Sequence, residues 1–378
     1  MPGLYIHIPF CKKKCRYCDF VSFGGSIDYT AYIAALISEI RTYKNLVSDR
    51  VFDTVFIGGG TPSILPHGTV TAVIAELRKN FTIRPNAEFT IEANPESLTR
   101  EKLEEYLLVG INRLSIGLQS ADNEVLRAIG RVHDRETFLK AFSEARKAGF
   151  RNINIDLMHG LPKQDVASYL DSIRLASELG AEHISSYALI LEEGTPLYDD
   201  VKNGIVILPD EDEVADMEDA GFALLGELGY KRYEISNFSK PTYECKHNLN
   251  YWANGEYLGL GLNAHSAMRF KGKWIRWANK DQLSEYVMLS ANSKLPVSDT
   301  EEVDREEEMF ETIMVGLRKV EGVSRQAFMD RFDIDPVTNY ASAVSEAVLE
   351  GNMEVTETHM KLTPKGMDFQ NEVLLKFM

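Results

Sequence analysis

The chain has 378 residues, of which 44% are hydrophobic and 26% are charged, and its formal net charge is −16. This is an ordinary globular composition with enough residues for a sizeable core, so no stabilising disulfide is expected. An acidic surface disfavours adhesion to nucleic acid or to an anionic membrane, so neither is expected as a partner.

The first predicted element is a strand over Leu4–Pro9, which leads directly into "FCKKKCRYCDF". No basic leader precedes it, and no run of eighteen apolar residues occurs in the sequence, so we expect a cytoplasmic protein without a membrane span. Thiols stay reduced in that compartment. Cys11, Cys15 and Cys18 are therefore expected to be metal ligands or redox groups and not disulfide partners.

Strand-like and helix-like segments alternate through the first half of the chain. Five further strands are predicted, at Thr54–Ile57, Glu88–Ile91, Arg113–Leu118, Asn152–Leu157 and His183–Ile190. Amphipathic helices are predicted between the strands, at residues 29–40, 69–79, 99–109, 135–148 and 166–179. A β/α unit repeated about six times predicts a parallel sheet with helices outside it, either open or curled into a barrel.

Polar residues or glycines lie at the ends of four successive predicted strands. Gly58–Gly60 follow the second strand, Glu92 the third and Gln119 the fourth, and Asp156 lies late in the fifth. Active sites of β/α folds gather at the carboxyl ends of the strands. These four strand ends are therefore expected to line one rim of the sheet.

The alternation breaks down after Glu192. A helix with an acidic first turn is predicted over Pro209–Gly229, followed by a strand over Tyr233–Phe238 and an aromatic, glycine-rich stretch over Cys245–Ser266. From Glu301 the sequence is helical and charged, and it closes with a predicted hairpin and helix. The predicted domains are 1–230, a connecting region at 231–300 and a small, mainly helical domain at 301–378.

The spacing Cys-x3-Cys-x2-Cys favours an iron–sulfur cluster. A structural zinc site usually takes four ligands, and only Cys245 or a histidine could complete one here. Three close thiolates can instead hold three irons of a 4Fe-4S cluster and leave the fourth iron open, as a catalytic metal requires. The basic residues between the cysteines favour deprotonated thiols. Zinc and unrelated thiols remain the alternatives.

"CKKKCRYC" resembles the signature of the radical S-adenosylmethionine (SAM) superfamily, and "GGGTP" at residues 58–62 resembles its glycine motif. The resemblance implies a partial (β/α)6 barrel, a 4Fe-4S cluster on Cys11, Cys15 and Cys18, and SAM on the open iron. Other motifs resemble the branch that contains the oxygen-independent coproporphyrinogen III oxidases: "YIHIPFC", "FIGGGTPS", "IEANPE", "RLSIGLQS", "GRVH", "INIDLMHGLP" and "HNLNYW".

The resemblance also implies a SAM-binding set. Its members would be Tyr5, Tyr17, Gly59, Gly60, Thr61, Glu92, Gln119, Arg131 and Asp156. The two tyrosines would lie beside the cluster and SAM, the glycines and the threonine would line the methionine moiety, and the last four would hold the amino acid, ribose and adenine portions. The planar guanidinium of Arg131 suits a carboxylate. Three members of the set are also the polar strand ends described above.

Within this branch, the sequence departs from the oxidases and resembles heme chaperones of the HemW type. Phe20 stands where the oxidase pattern has a fourth cysteine, and only ten residues precede Cys11, so the N-terminal extension of the oxidases is not expected. "HNLNYW" resembles the HNxxYW motif that is linked to heme binding in the chaperones. The resemblance implies transfer of heme to acceptor proteins. The oxidase is the alternative, and whether SAM is cleaved stays open, so no catalytic residue is assigned.

Two side chains are candidates for the heme ligand. Histidine and cysteine thiolate are both axial ligands of heme, so His247 is the expected ligand and Cys245 the alternative. Tyr251 and Trp252 offer aromatic faces to the macrocycle. His265, within "GLGLNAHS", is expected to be structural. The expected partners are heme-accepting apoproteins, with a reductant protein and a homodimer left open.

Overall fold

The computed structural model describes residues 2–25 and 28–378. The strands are β1 Gly3–Ile8, β2 Phe10–Cys11, β3 Phe23–Gly24, β4 Val51–Gly59, β5 Thr82–Ala93, β6 Arg113–Gln119, β7 Ile153–His159, β8 His183–Ala188, β9 Lys231–Arg232, β10 Asn237–Ser239, β11 Tyr257–Leu260, β12 His265–Phe270, β13 Lys273–Asn279, β14 Val297–Val303, β15 Val323–Ser324, β16 Met353–Val355 and β17 His359–Leu362.

The α-helices are α1 Tyr29–Tyr43, α2 Thr69–Asn80, α3 Arg100–Leu108, α4 Asn123–Ala128, α5 Arg135–Ala148, α6 Val166–Glu178, α7 Pro196–Lys202, α8 Glu211–Glu227, α9 Lys246–Trp252, α10 Leu283–Ala291, α11 Arg305–Gly316, α12 Arg325–Phe332, α13 Pro336–Asn339, α14 Ala341–Leu349, α15 Pro364–Asp368 and α16 Gln370–Leu375. Among these helices, none has both the length and the apolar composition that crossing a membrane requires.

Twelve strands form one sheet, in the order β14-β13-β12-β11-β1-β4-β5-β6-β7-β8-β10-β9. In this order, the seven central strands run parallel to one another: β11, β1, β4, β5, β6, β7 and β8. The strands on either side of them pair antiparallel. The order has two different strands, β14 and β9, at its ends, so the sheet does not close into a full barrel. The predicted partial β/α barrel is confirmed, with β1 and β4 to β8 as its six predicted strands.

Local chemistry explains where the outer helices begin and end, as α5 illustrates. The Asp134 carboxylate accepts a hydrogen bond from the Thr137 N–H at 2.8 Å, which caps the first turn. Gly149 ends the helix at a φ of 123°, a conformation that favours glycine. Between these ends Phe138 and Phe142 are buried in the main core. The helix therefore covers the sheet with its apolar face.

The residues predicted as a connecting region, 231–300, extend the sheet on both sides. The strands β9 and β10 continue it beyond β8, and β11 pairs in parallel with β1, with Gly3 opposite Tyr257. Of the predicted strand over Tyr233–Phe238, Asn237 and Phe238 lie in β10. The residues before them form a bend between β9 and β10, in which the Glu234 carboxylate accepts a hydrogen bond from the Ser236 N–H at 3.1 Å.

The residues after β14 form a mainly helical unit with its own core. Ile313, Phe328, Met360 and Phe377 are buried together in it, apart from the core of the barrel. A small sheet in the order β15-β17-β16 completes the unit, and β16 and β17 are the predicted hairpin. The predicted small, mainly helical C-terminal part is confirmed.

Candidate cluster and cofactor site

The three clustered cysteines lie on the loop between β1 and α1, which we call the cysteine loop (residues 9–25). Cys11 lies in β2, which pairs with β3, and the Cys18 N–H donates to the Cys15 carbonyl at 3.3 Å. All three cysteines are partly exposed. Among the described residues, no three His, Cys, Asp or Glu side chains surround a single metal position. A cubane cluster binds each thiolate at a separate corner, so it does not require such a point.

The surroundings of the three sulfurs suit a metal more than a free thiolate. Burial raises the pKa of Cys11 and of Cys18, although hydrogen bonds from Thr61 to Cys11 and from the backbone to Cys18 oppose the shift. Metal binding requires deprotonated sulfur. A bound cluster would place positive charge directly at the partly buried sulfurs and stabilise their deprotonated form, so the donor set fits an iron–sulfur group.

A chain of hydrogen bonds connects two of the cysteines to the strand ends. The Thr61 hydroxyl donates to Cys11 Sγ at 3.5 Å and accepts from Asn94 Nδ2 at 3.0 Å. Arg131 Nη2 donates to Asn94 Oδ1 at 2.8 Å, and its Nη1 donates to Cys15 Sγ at 3.5 Å. The predicted residues Thr61 and Arg131 are thus brought to the cysteines. Asn94 is absent from the predicted set, although its place at a strand end, within "IEANPE", is a signal that could have found it.

The glycine motif lets the backbone of β4 approach the cysteine loop. A side chain at Gly60 would place its Cβ 2.7 Å from the Phe10 carbonyl oxygen, and one at Gly59 would collide with the His7 ring at 2.6 Å. Gly59 has a φ of 109° and donates its N–H to Glu92 Oε2 at 3.1 Å. The glycine motif therefore packs against the cysteine loop, and its backbone lies beside the Glu92 side chain.

Glu92 and Asp156 are the two carboxyl groups of the barrel mouth. Burial raises the pKa of Glu92 to about 8, and the charge of Asp156 adds to the shift. Asp156 accepts hydrogen bonds from Ser115 Oγ at 3.1 Å and from Asn154 Nδ2 at 2.7 Å. A partly buried pair of acids that lines a cavity can accept hydrogen bonds from an ammonium group or from ribose hydroxyls.

Gln119 and Arg131 meet at the end of β6. A Cβ at Gly117 would lie 2.8 Å from Gln119 Nε2 and 2.7 Å from Arg131 Nη2, so this position leaves room for both side chains. Gln119 has a φ of 68° at an irregularity of the strand, which directs it differently from an ordinary strand residue. Tyr17 packs close by, against a small apolar cluster that includes Met158 and Leu161.

Two adjoining cavities open from these residues. The larger, of about 680 Å³, lies between the cysteine loop, α9, the β12–β13 hairpin and α11, and the smaller, of about 210 Å³, lies in the barrel mouth. Tyr5, Glu92 and Tyr251 line both cavities. Phe20, 61% exposed, and Trp252 give the larger cavity aromatic walls. The barrel mouth and the larger cavity are therefore continuous.

The geometry does not support the expected role of His247 as a heme ligand. Its side chain lies on the wall of the smaller cavity and is only 1% exposed. Nδ1 is hydrogen bonded to the Thr54 hydroxyl at 2.7 Å and Nε2 to the Tyr251 hydroxyl at 3.0 Å. Burial lowers the pKa of His247 to about 3. Both ring nitrogens are occupied within the protein, so neither is free to bind iron.

The alternative ligand, Cys245, is also enclosed. It is fully buried at the start of α9, and its Sγ donates to Glu88 Oε1 at 3.5 Å. Burial raises the pKa of Cys245 to about 12, although the nearby Arg113 opposes the shift. A neutral, fully buried thiol is a structural group and offers no thiolate to a metal.

Comparison with known proteins gives matches over the whole chain. Residues 5–176 match the Radical SAM superfamily, and residues 303–369 match the HemN C-terminal domain. Proteins named heme chaperone HemW from Bacillus subtilis (strain 168) and Escherichia coli (strain K12) are 36% and 33% identical to this chain, covering 100% of it and 99% and 98% of the relatives.

A solved structure also matches the entire chain. Coproporphyrinogen III oxidase (HemN) from Escherichia coli has a TM-score of 0.85 at 24% identity, and the match covers 100% of this chain and 90% of that one. At this level of identity, the likeness shows the fold.

Proposed function

This chain belongs to the radical SAM superfamily and, within it, to the heme chaperone HemW family, and on that premise we propose that it binds heme beside a SAM-liganded 4Fe-4S cluster and delivers the heme to acceptor proteins. One observation carries the proposal: the cysteine loop and the polar strand ends open onto the same aromatic-walled cavity of about 680 Å³. A flat, largely apolar macrocycle in that cavity would lie next to SAM.

In this proposal, Cys11, Cys15 and Cys18 hold the cluster, which when bound supplies an open iron for the amino and carboxylate groups of SAM. Thr61 and Arg131 orient two of the sulfurs through the hydrogen bonds described above. The remaining SAM-facing residues are Tyr5, Tyr17, Gly59, Gly60, Glu92, Gln119 and Asp156.

Position 20 favours the chaperone over the oxidase alternative. Phe20 is an exposed aromatic side chain on the wall of the large cavity. A phenyl ring can pack against a macrocycle, but it supplies neither a thiol for proton transfer nor a metal ligand. The proposed setting is the cytoplasm, where reduced thiols remain available to the cluster, and the proposed partners are heme-accepting apoproteins.

The cluster is tested by anaerobic reconstitution of the full chain followed by iron and sulfide assays. We expect the triple variant Cys11→Ser, Cys15→Ser and Cys18→Ser to retain no cluster and to lose SAM binding. Cys245→Ala is the matched control, because that thiol lies outside the cysteine loop, and it should keep both. Equal iron and sulfide contents in the triple variant and the wild type would refute the cluster assignment.

Heme delivery is tested separately from oxidase activity. Heme-loaded protein should transfer heme to an apoprotein. The change in the visible absorbance of the heme measures this transfer. The same preparation, given coproporphyrinogen III, SAM and a reductant, should release no carbon dioxide. Decarboxylation at an ordinary enzyme rate without added partners would make the oxidase the correct function.

A further inference from the structure

Seven of the eight histidines are engaged with other groups. Their rings have a hydrogen-bond or ion-pair partner within the protein: His7, His67, His133, His159, His183, His247 and His359. Among the residues that the structure describes, His265 is the one histidine whose ring has no such partner. Its side chain is exposed and lies on the wall of the large cavity.

The backbone of His265 is rigidly placed even though its ring is free. It is the first residue of β12 and pairs with Ala278 of β13. A Cβ at Gly259 would lie 2.0 Å from the His265 carbonyl oxygen, so β11 packs directly against this residue. The neighbouring Ser266 hydroxyl accepts a hydrogen bond from the Gly259 N–H at 2.9 Å. An imidazole on a fixed strand end can hold a ligand with little loss of conformational entropy.

The surroundings of His265 suit a metallomacrocycle. Alternate residues of a strand share one face, so Ala267 of β12 lies with His265 on the cavity wall. Arg276 of β13, which pairs with Ala267, also lines the cavity. The ring of Trp252 and the exposed ring of Phe20 line the same cavity. Its volume of about 680 Å³ is within the usual range for sites that enclose a ligand. Arg276 is paired with Glu301 and Glu311, so the groups that this space offers to a ligand are the free imidazole and the aromatic faces.

We propose that His265, and not His247, is the axial ligand of heme in the large cavity. The inference rests on the proposed heme-binding function and names the residue that carries it. Axial ligation requires an unprotonated ring nitrogen with a free lone pair. His265 can provide one without breaking any hydrogen bond, whereas His247 would have to give up its bond to Thr54 or to Tyr251.

The test is the absorbance and electron paramagnetic resonance spectra of the full chain, without cluster, titrated with ferric heme. In His265→Ala we expect the nitrogen-ligand signature to disappear and the heme dissociation constant to rise by roughly tenfold or more, since losing even an outer-shell partner of a metal ligand costs that much. Added imidazole should restore the signature, and His265→Cys should give a thiolate-type spectrum. His359→Ala, on the C-terminal unit, is the matched control and should match the wild type.

The outcomes separate this inference from the proposed function. Wild-type protein that takes up no heme would overturn both. Heme bound by the wild type with unchanged spectra in His265→Ala would overturn only the ligand assignment. A folded His247→Gln variant, checked by circular dichroism, should keep the wild-type heme spectrum; loss of the nitrogen signature in that variant alone would also overturn it.

Discussion

At the scale of single residues, the site contains partly buried carboxyl groups. Glu92 lines both cavities. Burial raises its pKa to about 8, and the charge of Asp156 is the second cause. The hydrogen bond from the Gly59 N–H and the charge of Arg113 oppose this shift. Near neutral pH, the empty protein therefore favours the protonated acid. A bound cation or hydrogen-bond donor beside Glu92 would reverse that preference by stabilising the carboxylate.

The raised pKa of Glu92 predicts a pH-dependent stability of the apoprotein. The folded value of about 8 lies above the ordinary 4.5, so the folded state binds more protons between these values and loses stability as pH rises through this window. We expect Glu92→Gln to unfold at a higher temperature than the wild type, with a gain that is small near pH 5 and largest above pH 8. The gain in the free energy of unfolding above pH 8 should be roughly a few kcal/mol, since a shift of one pKa unit corresponds to about 1.4 kcal/mol.

Thermal unfolding followed by circular dichroism from pH 5 to pH 9 measures this difference. Glu104→Gln is the control, because Glu104 is exposed and paired with Arg100 on α3. It should shift the curve little at any pH. If Glu92→Gln raises the unfolding temperature by the same amount at pH 5 and at pH 9, ionisation of Glu92 is not the cause of the increase.

At the scale of elements, one buried carboxyl group joins α1 to the extension of the sheet. Glu39 is fully buried and accepts three hydrogen bonds, from the Gly261 N–H at 2.8 Å, Asn279 Nδ2 at 2.6 Å and the Tyr286 hydroxyl at 2.7 Å. These donors belong to the turn after β11, the end of β13 and α10. Glu39 therefore fixes the hairpin that carries His265 against the first helix of the barrel.

Removal of this carboxyl group should destabilise the barrel. Glu39→Ala leaves the Gly261 N–H and the Tyr286 hydroxyl without this acceptor, while Asn279 Nδ2 keeps its bond to the Gly261 carbonyl at 2.8 Å. Each donor left unpaired costs about 1–3 kcal/mol, so a total loss of about 2 kcal/mol or more is expected. The midpoint of urea unfolding, followed by tryptophan fluorescence, measures it. Glu104→Ala removes an exposed ion pair and should change the free energy of unfolding by about 0.5 kcal/mol or less. Equal midpoints for the two variants would contradict this account.

At the scale of the whole molecule, the C-terminal unit closes one side of the large cavity. Glu311, Met314 and Val315 of α11 line it. Glu308, on the same helix and only 4% exposed, pairs with Arg269 of β12 and with Arg331 of α12. Arg331 Nη1 also donates to the Asn254 carbonyl at 2.7 Å. The width of the cavity therefore depends on how this unit is held against the barrel.

Loss of Glu308 should loosen the C-terminal unit. In Glu308→Ala, two partly buried guanidinium groups lose their shared counter-charge, which favours separation of the two units. We expect faster limited proteolysis around Asp304, the residue between β14 and α11, measured by gel densitometry and mass spectrometry of the fragments. Glu306→Ala, an exposed acid on the same helix, is the control. Identical cleavage rates in the two variants would show that the Glu308 pairs do not hold the interface.

The accuracy of the sequence-based interpretation differs between residues for physical reasons. The strand ends at Glu92, Gln119 and Asp156 follow from local alternation, and the structure places them at one rim. The histidines show the opposite case. His247 stands in an aromatic motif that resembles a heme site but is buried, whereas His265, expected to be structural, is exposed on the cavity. Exposure depends on how distant segments pack, which no local pattern specifies.

The sequence by itself determined the parts of this protein whose chemistry is local. Three cysteines within eight residues, a glycine triplet and repeated β/α periods each require only neighbouring residues, and they indicated the cluster loop, the partial barrel and the family. Only the tertiary structure decided which residues form the large cavity. It brings β11 beside β1, with Gly3 opposite Tyr257, and sets α11 across the mouth. Pairing across such sequence distances is fixed by the packing of the whole chain, and so the free histidine could be recognised only in three dimensions.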